Sequence, residues 1–274
     1  MTKPGVRLRP TIEREKLYHL VLDLRKEGLS YNQIIKTIHT EHGITLRKSH
    51  ISGWINGKHK PFGYVRAFAP TPRPELAYII GVSLGDGSTS SNRNYSHMIK
   101  LRVIDREFAS EFARCLGVLL CRSPPGVKRR EKTHSWYTGV SSLLLQRFLR
   151  QELKDLIPTV SHCDDCKAAF LKGFYDSEGS IRKRHLFVYN GELDKLELVC
   201  KLLGSLGIET TGPHLRGEKG GMVSIKGHMY HVNKNQYSVY VRATSLIAFR
   251  DKVGFTLKRK QDRLENAVRP KVRT

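Results

Sequence analysis

Residues 76–88 read LAYIIGVSLGDGS, and residues 169–180 read AFLKGFYDSEGS. The two stretches align when Asp86 is placed opposite Glu178, an offset of 178 − 86 = 92 residues. At that offset alanine meets alanine, glycine meets glycine at two positions, and serine meets serine. The repeat predicts that this part of the chain is an internal duplication.

Each stretch reads as an apolar helix that carries a small residue at every fourth position, and this spacing places the small residues on one face. They are Ala77, Gly81 and Gly85 in the first stretch and Ala169, Gly173 and Ser177 in the second. A glycine inside a helix costs about 1 kcal/mol relative to alanine. Close approach of two backbones would offset that cost, so we expect the two helices to pack together along this face.

An acid ends each predicted helix, with Asp86 before Gly87 and Glu178 before Gly179. The glycines suit the left-handed position that often follows a helix. A helix C-terminus already carries about half a negative charge, so two acids side by side there repel unless a cation lies between them. Taken singly, each acid is typical of a solvated turn. Because the whole pattern is repeated, we favour a site for a divalent ion with oxygen ligands, such as Mg²⁺.

Both stretches resemble the motif of the LAGLIDADG homing endonucleases, and the two copies resemble the single-chain members of that family. The resemblance extends from about residue 74 to the C-terminus. It implies an α+β fold in which two αββαββα copies are related by a pseudo-twofold axis through the motif helices. It also implies that the two sheets form a basic saddle over double-stranded DNA.

The activity implied by the resemblance is site-specific cleavage of both DNA strands, with one phosphodiester hydrolysed on each strand and Mg²⁺ or Mn²⁺ as cofactor. Asp86 and Glu178 would be the catalytic acids and metal ligands, helped by the main-chain carbonyls of Gly85 and Ser177. In the family a lysine near the site polarises the phosphate or water, and Lys258 best fits that role. The alternative interpretation of Lys258 is that it is one more charge in a basic run. Lys154 is the candidate for the corresponding lysine of the first copy.

The composition points to a polyanionic partner, because 48 Lys and Arg against 25 Asp and Glu give a net charge of +23 and a pI near 10.0. DNA and an anionic membrane are the two candidates. No apolar run of about 20 residues and no signal-peptide pattern is present. We therefore expect a monomer in the cytoplasm, with the nucleoid DNA and without a membrane partner.

Five cysteines form no disulfide framework in a chain of this length. Cys163 and Cys166 form a CxxC with His162 beside it, which is half of a zinc site, since no second pair at suitable spacing follows. The interpretation that we favour is that Asp164 or Asp165 caps the second motif helix while the thiols pack nearby.

The region before the first motif predicts a small all-α helix-turn-helix domain over residues 1–60. The pattern gives a helix over residues 11–26, a second capped by Ser30, and a short third capped by Ser49. A helical domain without DNA contacts is the alternative. The candidate DNA contacts are Arg47, Lys48, His50, Ser52, Asn56 and Lys58. A proline-rich linker over 61–74 then leads to repeats over 75–160 and 161–274.

Basic residues alternate with apolar ones in the predicted strands, as at 97–103, which is the pattern of a sheet with one face on DNA. Further strands are expected at 134–140, 181–189, 222–228 and 236–242, and helices at 105–116, 142–153 and 193–206. The candidate DNA contacts here are Lys100, Arg102, Lys128, Arg129, Arg130, Arg182, Arg184, Lys226 and Arg242.

Two other functions fit the same fold: a non-cleaving DNA-binding transcriptional regulator and an intron maturase. The presence of both acids favours the endonuclease over the regulator, since the related regulators typically lack them.

Overall fold

In a computed structural model of the 274-residue chain, the structure describes residues 11–58, 61, 68–91, 97–225 and 228–269. The chain divides into two units, one with the N-terminal helices and the other with both motif stretches. Within the predicted linker, residues 62–67 lie outside the described ranges, and the proposed domain boundaries stay a prediction. Among the helices that are described, none is both long and apolar enough to span a bilayer.

The N-terminal unit contains α1 (Thr11–Lys26), α2 (Tyr31–His42) and α3 (Lys48–Ile55). Ser30 caps α2, as the sequence predicts, and the structure shows that it does so in a reciprocal capping box with Gln33. The prediction that Ser49 caps α3 is wrong, because α3 begins one residue earlier, after Arg47, with no side-chain cap. The three helices enclose a core that comprises Leu17, Val21, Ile34, Ile38, Leu46, Ile51 and Trp54.

The larger unit contains two copies of one element order. The first copy has α4 (Pro74–Leu84), β1 (Ser88–Ser91), β2 (His97–Val103), α5 (Arg106–Leu119), β3 (Lys128–Arg130), β4 (Ser135–Ser141), α6 (Leu143–Leu149) and α7 (Leu153–Val160). The second has α8 (Asp164–Glu178), β5 (Gly179–Arg182), β6 (His185–Asn190), α9 (Leu193–Ser205), β7 (Thr210–Gly217), β8 (Met222–Ile225), β9 (His228–His231), β10 (Gln236–Val241), α10 (Leu246–Lys252) and α11 (Lys258–Val268).

Corresponding strands of the two copies take the same places in two four-stranded sheets. The strand order is β1-β2-β4-β3 in the first sheet and β5-β6-β10-β7 in the second, with β8 and β9 as a separate hairpin inserted before β10. One apolar core lies between the helices and the inner faces of the sheets. The expected α+β fold with a duplicated αββαββα order is confirmed.

Several predicted strands are divided or extended in the structure. Residues 181–189, predicted as one strand, belong to a hairpin, because Lys183 takes a left-handed φ of 54° and turns the chain between β5 and β6. Residues 222–228 belong to two strands, β8 and β9. The glycine-rich region before them is partly strand, since β7 extends to Gly217.

Two predicted helix ends also differ. The predicted helix over 105–116 continues through Gly117 to Leu119, and the glycine serves packing: a Cβ there would lie 2.9 Å from the carbonyl oxygen of Arg122. The predicted helix over 142–153 is α6 followed by α7, with a break at residues 150–152. The helix over 193–206 is present as α9.

Helices α4 and α8 are in backbone contact along their small residues. A Cβ built on Gly81 would clash with the carbonyl oxygen of Phe170, and one on Gly173 would lie 2.5 Å from the carbonyl oxygen of Tyr78. Since 173 − 81 = 92 and 170 − 78 = 92, the two contacts are symmetry mates at the offset of the sequence repeat. The pseudo-twofold axis therefore runs through this pair of helices.

The pseudo-twofold axis passes close to Gly85, near the C-terminal ends of α4 and α8. A Cβ on Gly85 would lie 2.5 Å from Cβ of Ser177, and 177 − 85 is again 92. Gly85 thus faces its own symmetry mate, and the next residue on each chain segment is an acid. Glycine contacts along the two helices therefore bring Asp86 and Glu178 together.

We predict that Gly81→Ala lowers the free energy of unfolding by about 1–3 kcal/mol, because the added methyl group meets backbone rather than a flexible side chain. Gly204→Ala is the matched control: Gly204 is also helical, but nothing lies within 4 Å of its missing Cβ. That change should stabilise by up to about 1 kcal/mol. Urea midpoints measure both, and equal effects of the two substitutions would contradict the packing account.

Candidate active site

The two acids lie where the motif helices turn into the first strands. Glu178 is the last residue of α8, and Asp86 follows Leu84 and Gly85 at the end of α4. The prediction that Gly87 and Gly179 are left-handed is wrong, since Gly179 has φ −76° and Gly87 is not among the glycines with positive φ. Glycine is needed at both positions because neighbouring backbone leaves no room for a Cβ. A Cβ on Gly179, for example, would lie 2.6 Å from the carbonyl oxygen of Tyr175.

The Glu178 side chain packs beside the first motif. A Cβ on Gly85 would lie 3.2 Å from Cγ of Glu178. Asp86 is exposed and Glu178 is half-buried, so the pair is open to solvent on one side. The Ser177 hydroxyl donates to the carbonyl oxygen of Gly173 at 3.1 Å. Gly85 and Ser177 directly precede the two acids in the chain, and the role of their main-chain carbonyls as further ligands stays a prediction.

The Glu178 carboxylate lies within the electrostatic field of Asp86. Burial raises the pKa of Glu178, and the negative charge of Asp86 raises it further. Partial burial also raises the pKa of Asp86, and the Lys260 ammonium opposes that shift. Lys195, and after it Lys260, lower the pKa of Glu178. Each acid therefore ionises less readily than a free carboxyl group, and an oxygen-binding cation at this position would relieve the repulsion.

Lys260 is a residue that the sequence analysis missed, as is Lys195, whose ammonium group donates to the carbonyl oxygen of Leu84 at 3.1 Å. Lys260 is buried in the first turn of α11, and its ammonium group donates to the carbonyl oxygens of Tyr175 at 3.0 Å and Asp176 at 2.6 Å. Burial lowers its pKa to about 8, against the raising effect of Asp176. Buried Leu264 and Ala267 follow at helical spacing, which is the signal that could have placed Lys260 on the inner face.

Lys258, the lysine predicted for the site, is exposed. Its ammonium group lies 2.9 Å from a carboxylate oxygen of Asp262, one turn along α11. Lys154 is also exposed, and it pairs with Glu152 at 2.7 Å. The prediction that Lys258 is the lysine of the site is therefore wrong. Lys258 forms a surface ion pair, whereas the charge of Lys260 acts on Asp86 and Glu178.

Asp176 is a buried structural acid, only 2% exposed. It accepts hydrogen bonds from the backbone N–H of Thr256 at 2.9 Å and from the Tyr78 hydroxyl at 3.1 Å. Burial raises its pKa to about 6. Asp176 thus joins α4 and α8 to the segment that leads into α11. Its counterpart in the first copy, 92 residues earlier, is Leu84, so it has no paired acid there.

Comparison with known proteins identifies the family. A family model described as LAGLIDADG-like domain matches residues 165–254. The Methanocaldococcus jannaschii protein MJ0398 is 33% identical over 257 residues, which cover 92% of this chain and 93% of the relative. The chain belongs to the LAGLIDADG homing-endonuclease family. A second protein of that organism, MJ0314, is 28% identical over 194 residues, or 64% of this chain and 68% of the relative.

The LAGLIDADG fold is also found in a solved structure. I-DmoI in complex with DNA and Ca has a TM-score of 0.50 and 17% sequence identity, over 70% of this chain and 97% of that chain. The likeness shows that the fold is shared.

The first sheet of this LAGLIDADG protein has one basic face. Directly paired residues of antiparallel strands lie on the same face, and the register pairs Arg102 and Lys128 with Tyr137, with Lys100 and Arg130 on the same side. The opposite face is the core side, with Ile99 and Leu101 buried. Arg129 pairs with Trp136 and so lies on that other side, where it contacts Glu131 at 3.5 Å.

The second sheet places aromatic residues on the corresponding face. Phe187 lies against Tyr189 and Tyr240, with ring centroids 5.1 and 5.6 Å apart. Arg216 stacks on Tyr240 at 5.2 Å and donates to the Ser238 hydroxyl at 2.8 Å. The sequence analysis did not include this cluster, and it expected no strand at the position of β7, which carries Arg216.

The predicted basic contacts of the second copy are less uniform. Arg182 is exposed on the same face as Phe187, and Arg184 is exposed in the turn before β6. Arg242 follows β10 and lies 3.7 Å from Glu209. Lys226 lies outside the described residues.

In the N-terminal unit, the predicted DNA contacts lie on or beside α3. His50 stacks on Trp54, and the Asn56 amide donates to the Ser52 hydroxyl at 3.2 Å. Arg47, Lys48, His50, Asn56 and Lys58 are exposed. Their role in DNA binding stays a prediction.

We predict that Glu178→Gln stabilises the metal-free protein at about pH 8 and has no such effect at about pH 3.5. An acid whose pKa is raised on folding makes the native state bind protons more tightly than the unfolded state, so stability falls as pH rises through that window. Urea midpoints in a chelating buffer give the result. Asp251→Asn is the control of opposite sign, since Arg250 lowers the pKa of that acid. A urea midpoint of Glu178→Gln below that of the unaltered protein at both pH values would contradict the proposed repulsion between Asp86 and Glu178.

Proposed function

We propose that this protein is a site-specific double-stranded DNA endonuclease that hydrolyses one phosphodiester on each strand with the help of a divalent metal ion. One observation carries the proposal: Asp86 and Glu178 meet beside the pseudo-twofold axis, where the charge of one raises the pKa of the other. A duplex has its own local twofold symmetry. Two acids related by a protein twofold can therefore serve the two strands from one site.

The donor set at this position fits a hard divalent cation. Two carboxylates and the main-chain carbonyls of Gly85 and Ser177 are oxygen ligands, which Mg²⁺ and Mn²⁺ prefer. A bound ion of this kind supplies an activated water and stabilises charge on the phosphate. I-DmoI has been solved in complex with DNA and Ca, another divalent cation that takes oxygen ligands, and this supports a divalent ion here.

Lys260 acts as a positioning residue for the second acid. Its hydrogen bonds to the carbonyl oxygens of Tyr175 and Asp176 fix the last turn of α8, which carries Glu178. Its positive charge lowers the pKa of both acids and so favours their ionised, ligand-competent form. Lys258 would then contribute only surface charge.

The sheet faces supply DNA affinity in this proposal. Lys100, Arg102, Lys128 and Arg130 share a face of the first sheet, and phosphate contacts by such side chains give salt-dependent binding. Phe187, Tyr189 and Tyr240 on the second sheet add flat surfaces for sugar and base edges. The N-terminal unit would extend the footprint through α3 as a helix-turn-helix.

The remaining properties follow from a single-chain site. Both acids come from one polypeptide, so a monomer is sufficient for cleavage of both strands. The double-stranded DNA target requires an intracellular location beside the genome.

We predict that Asp86→Asn abolishes cleavage of one or both strands while DNA affinity stays within a few-fold, because the variant removes a metal ligand from an intact sheet surface. The measurement is incubation of plasmids that carry the host DNA flanking the gene with Mg²⁺, alongside a gel-shift assay on the same fragment. Tight binding without cuts by the unaltered protein would overturn the endonuclease and favour the non-cleaving regulator. Cleavage that persists in Asp86→Asn would contradict the assigned site.

A second prediction separates the two faces of the first sheet. Arg102→Ala should weaken DNA binding and reduce the slope of log affinity against log salt by about 1, which is the effect of one lost phosphate contact. Arg129→Ala, an equal loss of charge on the other face two strands away, should leave the slope nearly unchanged. Equal effects of both substitutions would show that net charge, and not the basic face, determines binding.

A further inference from the structure

A second cluster of ligand-type side chains lies at the start of α8, at the far end of that helix from Glu178. The donor atoms of His162, Cys163 and Cys166 all lie within 4.8 Å of one another. We propose that these three residues bind a zinc-type transition-metal ion. The proposal is independent of the nuclease function, since it uses none of the same residues.

The local structure fixes this cluster between two helices. Ser161 ends α7, and both its backbone N–H and its hydroxyl donate to the carbonyl oxygen of Ile157, at 2.9 and 2.7 Å. Cys163 is the N-cap of α8, and its sulfur accepts from the backbone N–H of Cys166 at 3.4 Å. The prediction that Asp164 or Asp165 caps this helix is therefore wrong. The residue spacing of a helix N-terminus holds both sulfurs on one side.

The ligand types match zinc chemistry. Thiolates and imidazole are the groups that Zn²⁺ takes in tetrahedral sites, with bonds of about 2.3 Å to sulfur and about 2.0–2.1 Å to nitrogen. Such bonds put ligand atoms roughly 3.5 Å apart, so separations within 4.8 Å need only small side-chain rotations. The sequence shows half of a zinc site in its single CxxC, and His162 supplies a third ligand. Because His162 is exposed, water can take the fourth position.

The cluster and the acid pair would select different ions. Sulfur ligands suit zinc-type ions and do not suit Mg²⁺, whereas the acid pair offers oxygen only. The 15 residues of α8 separate the two sites by about 22 Å of helix at about 1.5 Å per residue. Occupancy of one site therefore leaves the ligands of the other untouched.

A metal at this position would stabilise the junction between the two copies. It would join the segment after α7 to the first turn of α8, and binding free energy that is available only to the folded state adds to stability. Cys166 is fully buried and Cys163 half-buried, so the ion would cover the sulfur edge of the helix N-terminus.

The test is titration of the full, reduced chain with Co²⁺ as a spectroscopic probe, followed by displacement with Zn²⁺. We expect one Co²⁺ ion at this cluster to give a thiolate-to-metal charge-transfer band. The band should be lost in Cys163→Ser, and titration of the band should show at least about tenfold weaker binding in His162→Ala. Cys121→Ser, at an exposed cysteine elsewhere, and Asp86→Asn should both leave the band unchanged. A missing band in the unaltered protein, or an unchanged band in Cys163→Ser, would overturn the proposal.

Folding and oxidation are controlled separately. The urea midpoints of the metal-free His162→Ala, Cys163→Ser and Cys121→Ser variants should lie close to that of the unaltered chain. Zn²⁺ should raise the midpoint of the unaltered chain and of Cys121→Ser but not of Cys163→Ser. Formation of a disulfide between Cys163 and Cys166 in air, in a chain that binds no Co²⁺ when reduced, would also overturn the metal site.

Discussion

The close contact between α4 and α8 is the constraint on which the rest of the structure depends. Gly81 and Gly173 face each other's helix with no room for a Cβ, and Gly85 faces Ser177 across the pseudo-twofold axis. These positions fix both the separation and the rotation of the helices. As a result the two sheets take equivalent places on either side of the axis, and the two acids at the helix ends lie beside each other.

A buried lysine of the protein offsets part of the repulsion between Asp86 and Glu178. Lys260 is held inside the fold by two carbonyl oxygens at the end of α8, close enough to act on both Asp86 and Glu178. Asp176 in turn accepts hydrogen bonds from the chain just before α11 and so fixes the helix that carries Lys260. This internal cation reduces the repulsion between the acids, but their pKa values remain raised. A further cation bound between the acids would therefore be stabilising.

The parts of the fold that depend on local pattern could be predicted from the sequence. The cap at Ser30 and the alternation in β2 are each visible within a few residues, and the repeat at an offset of 92 residues is visible as two matching short motifs. The hairpin at Lys183 could not be predicted, because a lysine with positive φ carries no local signal. The assignment of Lys258 to the site also failed, since it depends on which face of α11 is turned toward the end of α8. The glycines after the acids were recognised as necessary, but the reason is tertiary contact and not a left-handed turn.

The central claim is that Asp86 and Glu178 share one divalent cation, separate from any ion held by the cluster of His162, Cys163 and Cys166. The most direct measurement is anomalous scattering from crystals of the full chain grown with Mn²⁺. The account predicts an anomalous peak bridged by the carboxylates of Asp86 and Glu178. Absence of a peak between them, with the two side chains turned into separate environments, would contradict it.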